Sequence, residues 1–482
     1  SPFDPETGGA EALKKLVRAP AACCRRTQIK HRVMSKRLWD KGEELDQLIH
    51  QFTVGNDPAI DRALVYHDAV GSAAHARMLR SIDLLTEQEL RSLLEALRDV
   101  CRLSEENRFD IPPALEDCHT AIEEFLVRRV GDAGKKIHAG RSRNDQVLLA
   151  MRLYLRSQTV STMQSLVELC QALLCRLDEA GNVPMPGYTH FQPAMPSSVG
   201  LWLHAFVEAL LELTGDGLAL LERINANPLG AASGFGVPLP LDRSMVTDLL
   251  AFSRTQRSPI DTQNSRGRHE LKFLRWGADI AGVIEKFAWD LILYTSQEFG
   301  FFTLPQAFTT GSSIMPQKHN PDVLELLRAR AAKVRAAESE LLLVCAKLPS
   351  NYHRDFQYTK EPVMRTVKNL DEMLIVLQRV VSSFGVNEEK LRISMTAELY
   401  ATYDACREVR NGIPFREAYR LTAERIKNGQ LDQADLAKDF SFISGTLAAE
   451  TMEAREELLS SAAAIEQWAA RFAQAEVDLF AE

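Results

Sequence analysis

Apolar residues recur three and four positions apart through five long stretches of this chain, and that period constrains its fold more than any other feature. In one stretch Trp202, Phe206, Ala209, Leu210, Leu213, Gly217, Leu220, Leu221 and Ile224 form a helical stripe with no internal proline. Comparable runs cover 145–178, 268–299, 322–347 and 363–385. Globular helices average about 10–14 residues, so longer ones arriving in succession predict a long bundle. Thr86-Glu-Gln-Glu89 has the spacing of a capping box and opens a helix carrying Leu90, Leu93, Leu94 and Leu97. Alternating Val/Ile/Thr runs of strand type are scarce, so the predicted class is all-α. Leu341-Leu-Leu-Val344 turns apolar side chains to more than one side, which predicts burial in a multi-subunit core.

Composition narrows the function by exclusion. The 482 residues carry 57 Lys+Arg against 65 Asp+Glu, a formal net charge of −8. Neither a nucleic acid nor a membrane surface is the expected partner, since both call for a basic field. Small anionic substrates need only a few local cations. The eight cysteines fall without framework spacing and read as small buried hydrophobes in a reducing compartment, hence a cytoplasmic location. No apolar run approaches the ~18 residues of a membrane span. Residues 1–33 lack a sustained apolar period and read as an N-terminal extension outside the fold, disordered or left from cloning.

The unusual residues sit between the long runs, in Lys135–Asp145, Val183–Ser198, Asn225–Arg243, Leu304–Pro321 and Leu348–Pro362. Each mixes Gly or Pro with polar side chains, as turns do. Loops on a rigid scaffold are where chemistry is usually placed, so these distant segments are expected to meet at one site. The densest is Gly311-Ser-Ser-Ile-Met-Pro-Gln-Lys-His-Asn-Pro321. Lys318 can hold a carboxylate as a point charge, and Asn320 can add a directional hydrogen bond. Ser312 can serve as a base only if strongly activated. A flexible linker would account for a random Gly-Ser stretch, but not for this length and order.

Gly187-Tyr-Thr-His-Phe-Gln-Pro193 places Thr189 and His190 before a long helix, and His is the commonest general acid/base near neutrality. A lone histidine is more often structural; its loop setting and the neighbouring clusters reverse that balance here. Ser142, Arg143 and Asn144 stand at a helix entrance beside Arg141 and Asp145, where free N–H groups favour anions. Asn144 and Asp145 also suit ordinary capping. Tyr352, Gln357 and Lys360 form a fourth cluster, unremarkable by itself but suited to a substrate with several charged ends.

Other chemistries lack their motifs. There is no H-E-x-x-H, no Cys/His pair at zinc spacing and no G-x-S-x-G. Gly234-Phe-Gly236 lacks the third glycine of a dinucleotide loop, and Gly131-Asp-Ala-Gly-Lys135 is too short for a phosphate loop. The expectation is chemistry without metal or organic cofactor.

Gly311–Pro321 resembles the mobile catalytic loop of the fumarase/aspartase superfamily. Gly140-Arg-Ser-Arg-Asn-Asp-Gln146, Gly187–Pro193 and Gln317-Lys-His-Asn-Pro-Asp322 are similar to the versions in its argininosuccinate lyase family, as are Glu116-Asp-Cys-His-Thr120 and Pro414-Phe-Arg-Glu-Ala418. The resemblance runs from about Arg37 to the C-terminus. It implies three helical domains, here 34–140, 141–392 and 393–482, and a homotetramer with a shared helical core and active sites built from several subunits. It also implies β-elimination of argininosuccinate to arginine and fumarate. Ser312 would take the proton, Lys318 and Asn320 would stabilise the aci-carboxylate, and His190 paired with Glu325 would be proton donor or relay. Ser142, Arg143, Asn144, Thr189, Tyr352, Gln357 and Lys360 would bind substrate. Another C–N lyase of the superfamily, of adenylosuccinate lyase or aspartase type, and a catalytically silent structural relative are the alternatives. Three segments depart from the family wording. Asp57-Pro-Ala-Ile-Asp61 stands where Ser-Ile-x-Phe-Asp is common, Gly230–Gly236 lacks the usual Gly-Ala-Leu-Ala, and Ala401-Thr-Tyr-Asp404 replaces Ala-Thr-Asp-Leu.

Overall fold

The computed structural model describes residues 46–481, with the backbone alone over 440–446. The extension expected over 1–33 and the first part of the 34–140 segment lie outside the described residues. Helices α1 (Gln47–Val54), α2 (Val65–Ser81), α3 (Glu87–Glu105) and α4 (Cys118–Val130) come first. The expected capping box is present: Thr86 N–H donates to Glu89 Oε2 at 2.9 Å and Glu89 N–H to Thr86 Oγ1 at 3.2 Å.

The long runs are five helices: α5 (Arg143–Ala180), α6 (Val199–Ile224), α7 (Arg268–Tyr294), α8 (Asp322–Cys345) and α9 (Lys360–Val381). Side-chain pairs give their directions. Val199 N–H reaches Val183 O and Gly200 N–H reaches Gly181 O, so α6 starts where α5 ends. Trp202, at the start of α6, stacks on Phe287 near the end of α7, while Trp276 Nε1 donates to Leu213 O halfway along. Arg275 pairs with Glu338 and Arg328 covers Trp289, which sets α8 antiparallel to α7. Arg330–Glu372 and Arg365–Glu340 do the same for α9 against α8. Four reversals therefore deliver every connecting loop to one of two poles of the bundle.

Two expectations need adjustment. The run 268–299 stops at Tyr294, and the chain turns through Gly300 at φ 58°. Phe299, Phe301 and Phe302 leave the helix to join an aromatic cluster in which Trp202 stacks on Phe302 and Tyr188 meets Phe299 edge-on. Burying these rings against each other outweighs one more helical turn. The segment 183–198, read as a loop, is a hairpin of β1 (Pro184–Thr189) and β2 (Gln192–Ser198) with a bulge at Gly187/Tyr188. Its four prolines remove ladder donors yet suit an extended two-stranded ribbon, where each strand has an unpaired edge.

Beyond the bundle, α10 (Ala401–Arg410) packs on α11 (Phe415–Lys427), tied by Arg425 to Asp404 and Glu408. The last helix, α12 (Phe440–Phe480), runs back along α5: Arg455 meets Asp178, and Phe472 lies 3.8 Å under the Arg156 guanidinium. Several large apolar side chains of the bundle remain exposed, among them Leu326, Leu342 and Leu343, the last at 75%. No helix among the described residues is long and apolar enough to cross a membrane.

Candidate active site

The loop 310–320 is closed at its base. Asn320 N–H donates to Thr310 O at 2.8 Å and Thr310 N–H to Asn320 O at 3.1 Å, an isolated antiparallel bridge. Within the loop Ser312 Oγ accepts from the backbone N–H groups of Ile314 and Met315, at 3.3 and 3.2 Å. Two such donors favour an oxygen carrying negative charge, the direction in which a serine base must be pushed. Lys318 is exposed and Asn320 half-buried. Glu325 follows in the first turn of α8 and is exposed.

Thr189 and His190 sit at the hairpin tip. Thr189 pairs with Gln192, leaving His190 and Phe191 as the two turn residues, both left-handed at φ 53° and 58°. A two-residue turn of this hand follows the strand twist, and holding it without glycine is a local strain of the kind found at functional sites. His190 is exposed and Phe191 is 77% exposed, so the tip projects away from its own chain.

Ser142 caps α5. Its Oγ accepts from Asn144 N–H at 3.3 Å, and its N–H donates to Asp145 Oδ1 at 2.9 Å. The other oxygen of buried Asp145 accepts from Gly230 N–H at 3.0 Å and Ala232 N–H at 2.7 Å, which fastens the 228–236 loop to the helix start. Arg143 donates to Thr120 Oγ1 at 3.1 Å and lies 3.5 Å from Asp117, beneath the Glu116–Thr120 segment.

Around that helix start gather 53–61, 264–266 and 351–360. Gln357 Nε2 donates both of its hydrogens, to Thr53 O at 3.0 Å and Val54 O at 3.1 Å, leaving its oxygen as an acceptor. Lys360, 3% exposed, reaches Asp57 Oδ2 at 2.8 Å and Asp61 Oδ1 at 2.6 Å. Burial works against its charge, but the two carboxylates more than offset that and hold the ammonium above its usual value. Two of its three donors are thus engaged inside the chain. Tyr352 stacks under the Arg266 guanidinium at 5.3 Å. Sequence reading assigned no role to Arg266 or Asp57; the Asp57–Asp61 departure was its only signal.

The structure does not bring all the candidates together. Helix α5 has 38 residues, about 57 Å at 1.5 Å per residue, and separates Ser142–Asn144 from the hairpin that follows its far end. Helix α8, of 24 residues and about 36 Å, likewise separates Ser312–Glu325 from Tyr352–Lys360. One pole therefore carries Ser142, Arg143, Asn144, Tyr352, Gln357 and Lys360. The other carries Thr189, His190, Ser312, Lys318, Asn320 and Glu325.

Near the first pole several histidines are held neutral. Burial lowers His67 to about 4 and His138 to about 4, with Arg141 and Arg143 adding to the effect at His138. His75 Nε2–H donates to Ala139 O at 2.9 Å, and burial again keeps it well below 6.5. An unfolded chain binds the His67 and His138 protons near 6.5 and the folded one near 4, so stability present above 6.5 is lost as pH falls towards 4. Thermal melts across that window should show a steadily falling midpoint, with His67→Gln flattening the slope. A midpoint constant over the window would contradict this.

Among the described residues, Asp61, Cys118 and His119 are the cluster with metal-ligand spacing. Both Asp61 oxygens are already engaged, by Lys360 Nζ and Cys118 N–H, and His119 Nδ1 lies 3.1 Å from Asp68. These contacts suit a closed polar core better than an ion.

The chain and its long antiparallel bundle match known proteins. The sequence profile of a family described as lyases matches residues 41–336. Among solved structures, an EDDS lyase in complex with formate superposes with a TM-score of 0.76 at 24% identity, covering 89% of this chain and 94% of its own. A class II fumarase from Schistosoma mansoni gives 0.67 at 18%, covering 81% and 91%. The protein is thus a helical carbon–nitrogen lyase of the fumarase/aspartase superfamily. The argininosuccinate lyase of Bacteroides fragilis is 41% identical over 396 residues, 82% of this chain and 89% of that relative. That of Thermotoga neapolitana is also 41% identical, over 400 residues, 81% and 98%. Within that superfamily, the chain belongs to the argininosuccinate lyase family.

Proposed function

We propose that this protein cleaves argininosuccinate reversibly to arginine and fumarate, with Ser312 as the base. The Ser312 alkoxide takes the proton from the carbon next to the succinyl carboxylate. Lys318 and Asn320 stabilise the resulting aci-carboxylate, a dianion that forms only against preorganised donors. As that pair of electrons closes the C=C bond, the C–N bond breaks and its pair stays on the guanidino nitrogen, which receives a proton from the acid. His190 with Glu325 supplies or relays that proton. Ser142, Arg143, Asn144 and Thr189 hold the polar ends of the substrate, and Tyr352, the Gln357 oxygen and the third donor of Lys360 face the arginine half.

The observation that carries this reading is the pair of backbone N–H groups on Ser312 Oγ in a loop that also presents Lys318. The separation of the two poles favours a homotetramer in which each site combines loops of different subunits. Exposed Leu326, Leu342 and Leu343 on α8 suit such a core. Cysteines 101, 118, 170, 175, 345 and 406 are unpaired, in keeping with a cytoplasmic setting. Fumarate absorbance after adding argininosuccinate, adenylosuccinate or aspartate separately is the test. A signal is expected from argininosuccinate alone; turnover of only one of the others would overturn the substrate.

A further inference from the structure

We propose that a cavity between α2, α3, α5 and α12 binds a small apolar α-amino acid, its carboxylate paired with Arg156 and its ammonium with Glu476. This site is apart from both poles: Arg156 lies twelve residues, about 18 Å, along α5 from Asn144. The cavity has a volume of about 400 Å³, within the range of small-molecule sites. Tyr66, Val70, Leu153, Arg156, Phe472 and Glu476 are among the residues that line it.

Arg156 forms the inner wall and is 3% exposed. Its Nη1 donates to Leu250 O at 2.6 Å and to Asn225 Oδ1 at 3.3 Å. Nε and Nη2 have no hydrogen bond among the described residues, yet neither is enclosed, so both open on the cavity. Those two nitrogens are the side-on edge of a guanidinium, which takes both oxygens of a carboxylate. The rings of Phe252 and Phe472, at 5.1 and 3.8 Å, hold the group in place. Burial pulls it down to about 9, and Glu476 works against that only from a distance. A carboxylate on the free edge supplies the contact counter-charge that the chain does not.

Glu476 stands on the rim. Tyr66 Oη donates to its Oε2 at 2.7 Å, which leaves Oε1 without a hydrogen bond among the described residues. Glu105, at the end of α3, adds a second acid near Tyr66. An occupant with a carboxylate alone meets these acids as repelling neighbours, and one with an amine alone leaves the Arg156 edge open. A zwitterion answers both. Val70, Leu153 and Phe472 offer apolar surface to a short side chain.

The test is calorimetric binding of L-valine, isovalerate (valine without the amine) and isobutylamine (valine without the carboxylate). The proteins are the intact wild type, Arg156→Gln and Glu476→Gln, with folding checked by circular dichroism. Valine should bind the wild type about tenfold or more tightly than either analogue, one charge-assisted contact being lost in each. Arg156→Gln should abolish the preference over isobutylamine, and Glu476→Gln the preference over isovalerate. Should Arg156→Gln not fold, the rim variant decides, since its amide oxygen still accepts from Tyr66. A wild type that binds no valine, or binds it no better than the analogues, would overturn the site. So would valine binding left unchanged by Glu476→Gln, which would put the ligand elsewhere on the protein.

Discussion

Ser312→Ala is expected to lower argininosuccinate turnover by about 10²–10⁴-fold, the usual contribution of one positioned base. Helicity and melting temperature should not change, because Ser312 lies in a polar loop and its hydroxyl accepts only from Ile314 and Met315 of the same turn. Those N–H groups reach water when the oxygen is removed, so no buried donor is stranded. Comparing rate with circular dichroism separates lost chemistry from lost structure. A variant with near-normal rates would show that another group, His190 first among them, takes the proton.

Lys360→Met should have the largest effect on stability. It leaves Asp57 and Asp61 without the ammonium that both contact, with only the more distant Arg266 as counter-charge, in a setting where Asp61 is fully buried. Breaking a buried pair by removing one partner costs about 3–5 kcal/mol. The denaturant midpoint should drop accordingly, and adding Asp57→Asn and Asp61→Asn should restore most of it by removing the stranded charges. An unchanged midpoint in the single variant would mean that Lys360 contributes little to folding and serves the substrate alone.

The contrast between those residues shows what could be read from the sequence. Ser312, Lys318 and Asn320 stand within nine positions, so local order was enough to mark them. The five long helices were equally legible, since a 3.6-residue period sustained over twenty or more residues fits neither a strand nor a loop. The hairpin was not, because prolines at 184, 186, 193 and 196 hide any alternation of apolar residues. Lys360 and Asp57 are 303 positions apart, and nothing local in either segment announces the pair. The division of site residues between two poles follows from helix lengths, yet it needed the direction of each helix as well.

The carboxylate of Asp145 grips the 228–236 loop only through main-chain N–H groups, those of Gly230 and Ala232. A grip of that kind is indifferent to what the loop's side chains are. Residues of ordinary backbone angle can change there while the anchorage persists, whereas Gly230, Gly234 and Gly236, at φ 88°, 108° and 73°, are fixed by the path itself. That accounts for Gly230-Ala-Ala-Ser-Gly-Phe-Gly236 departing from its relatives' wording beside a helix entrance whose own residues match them.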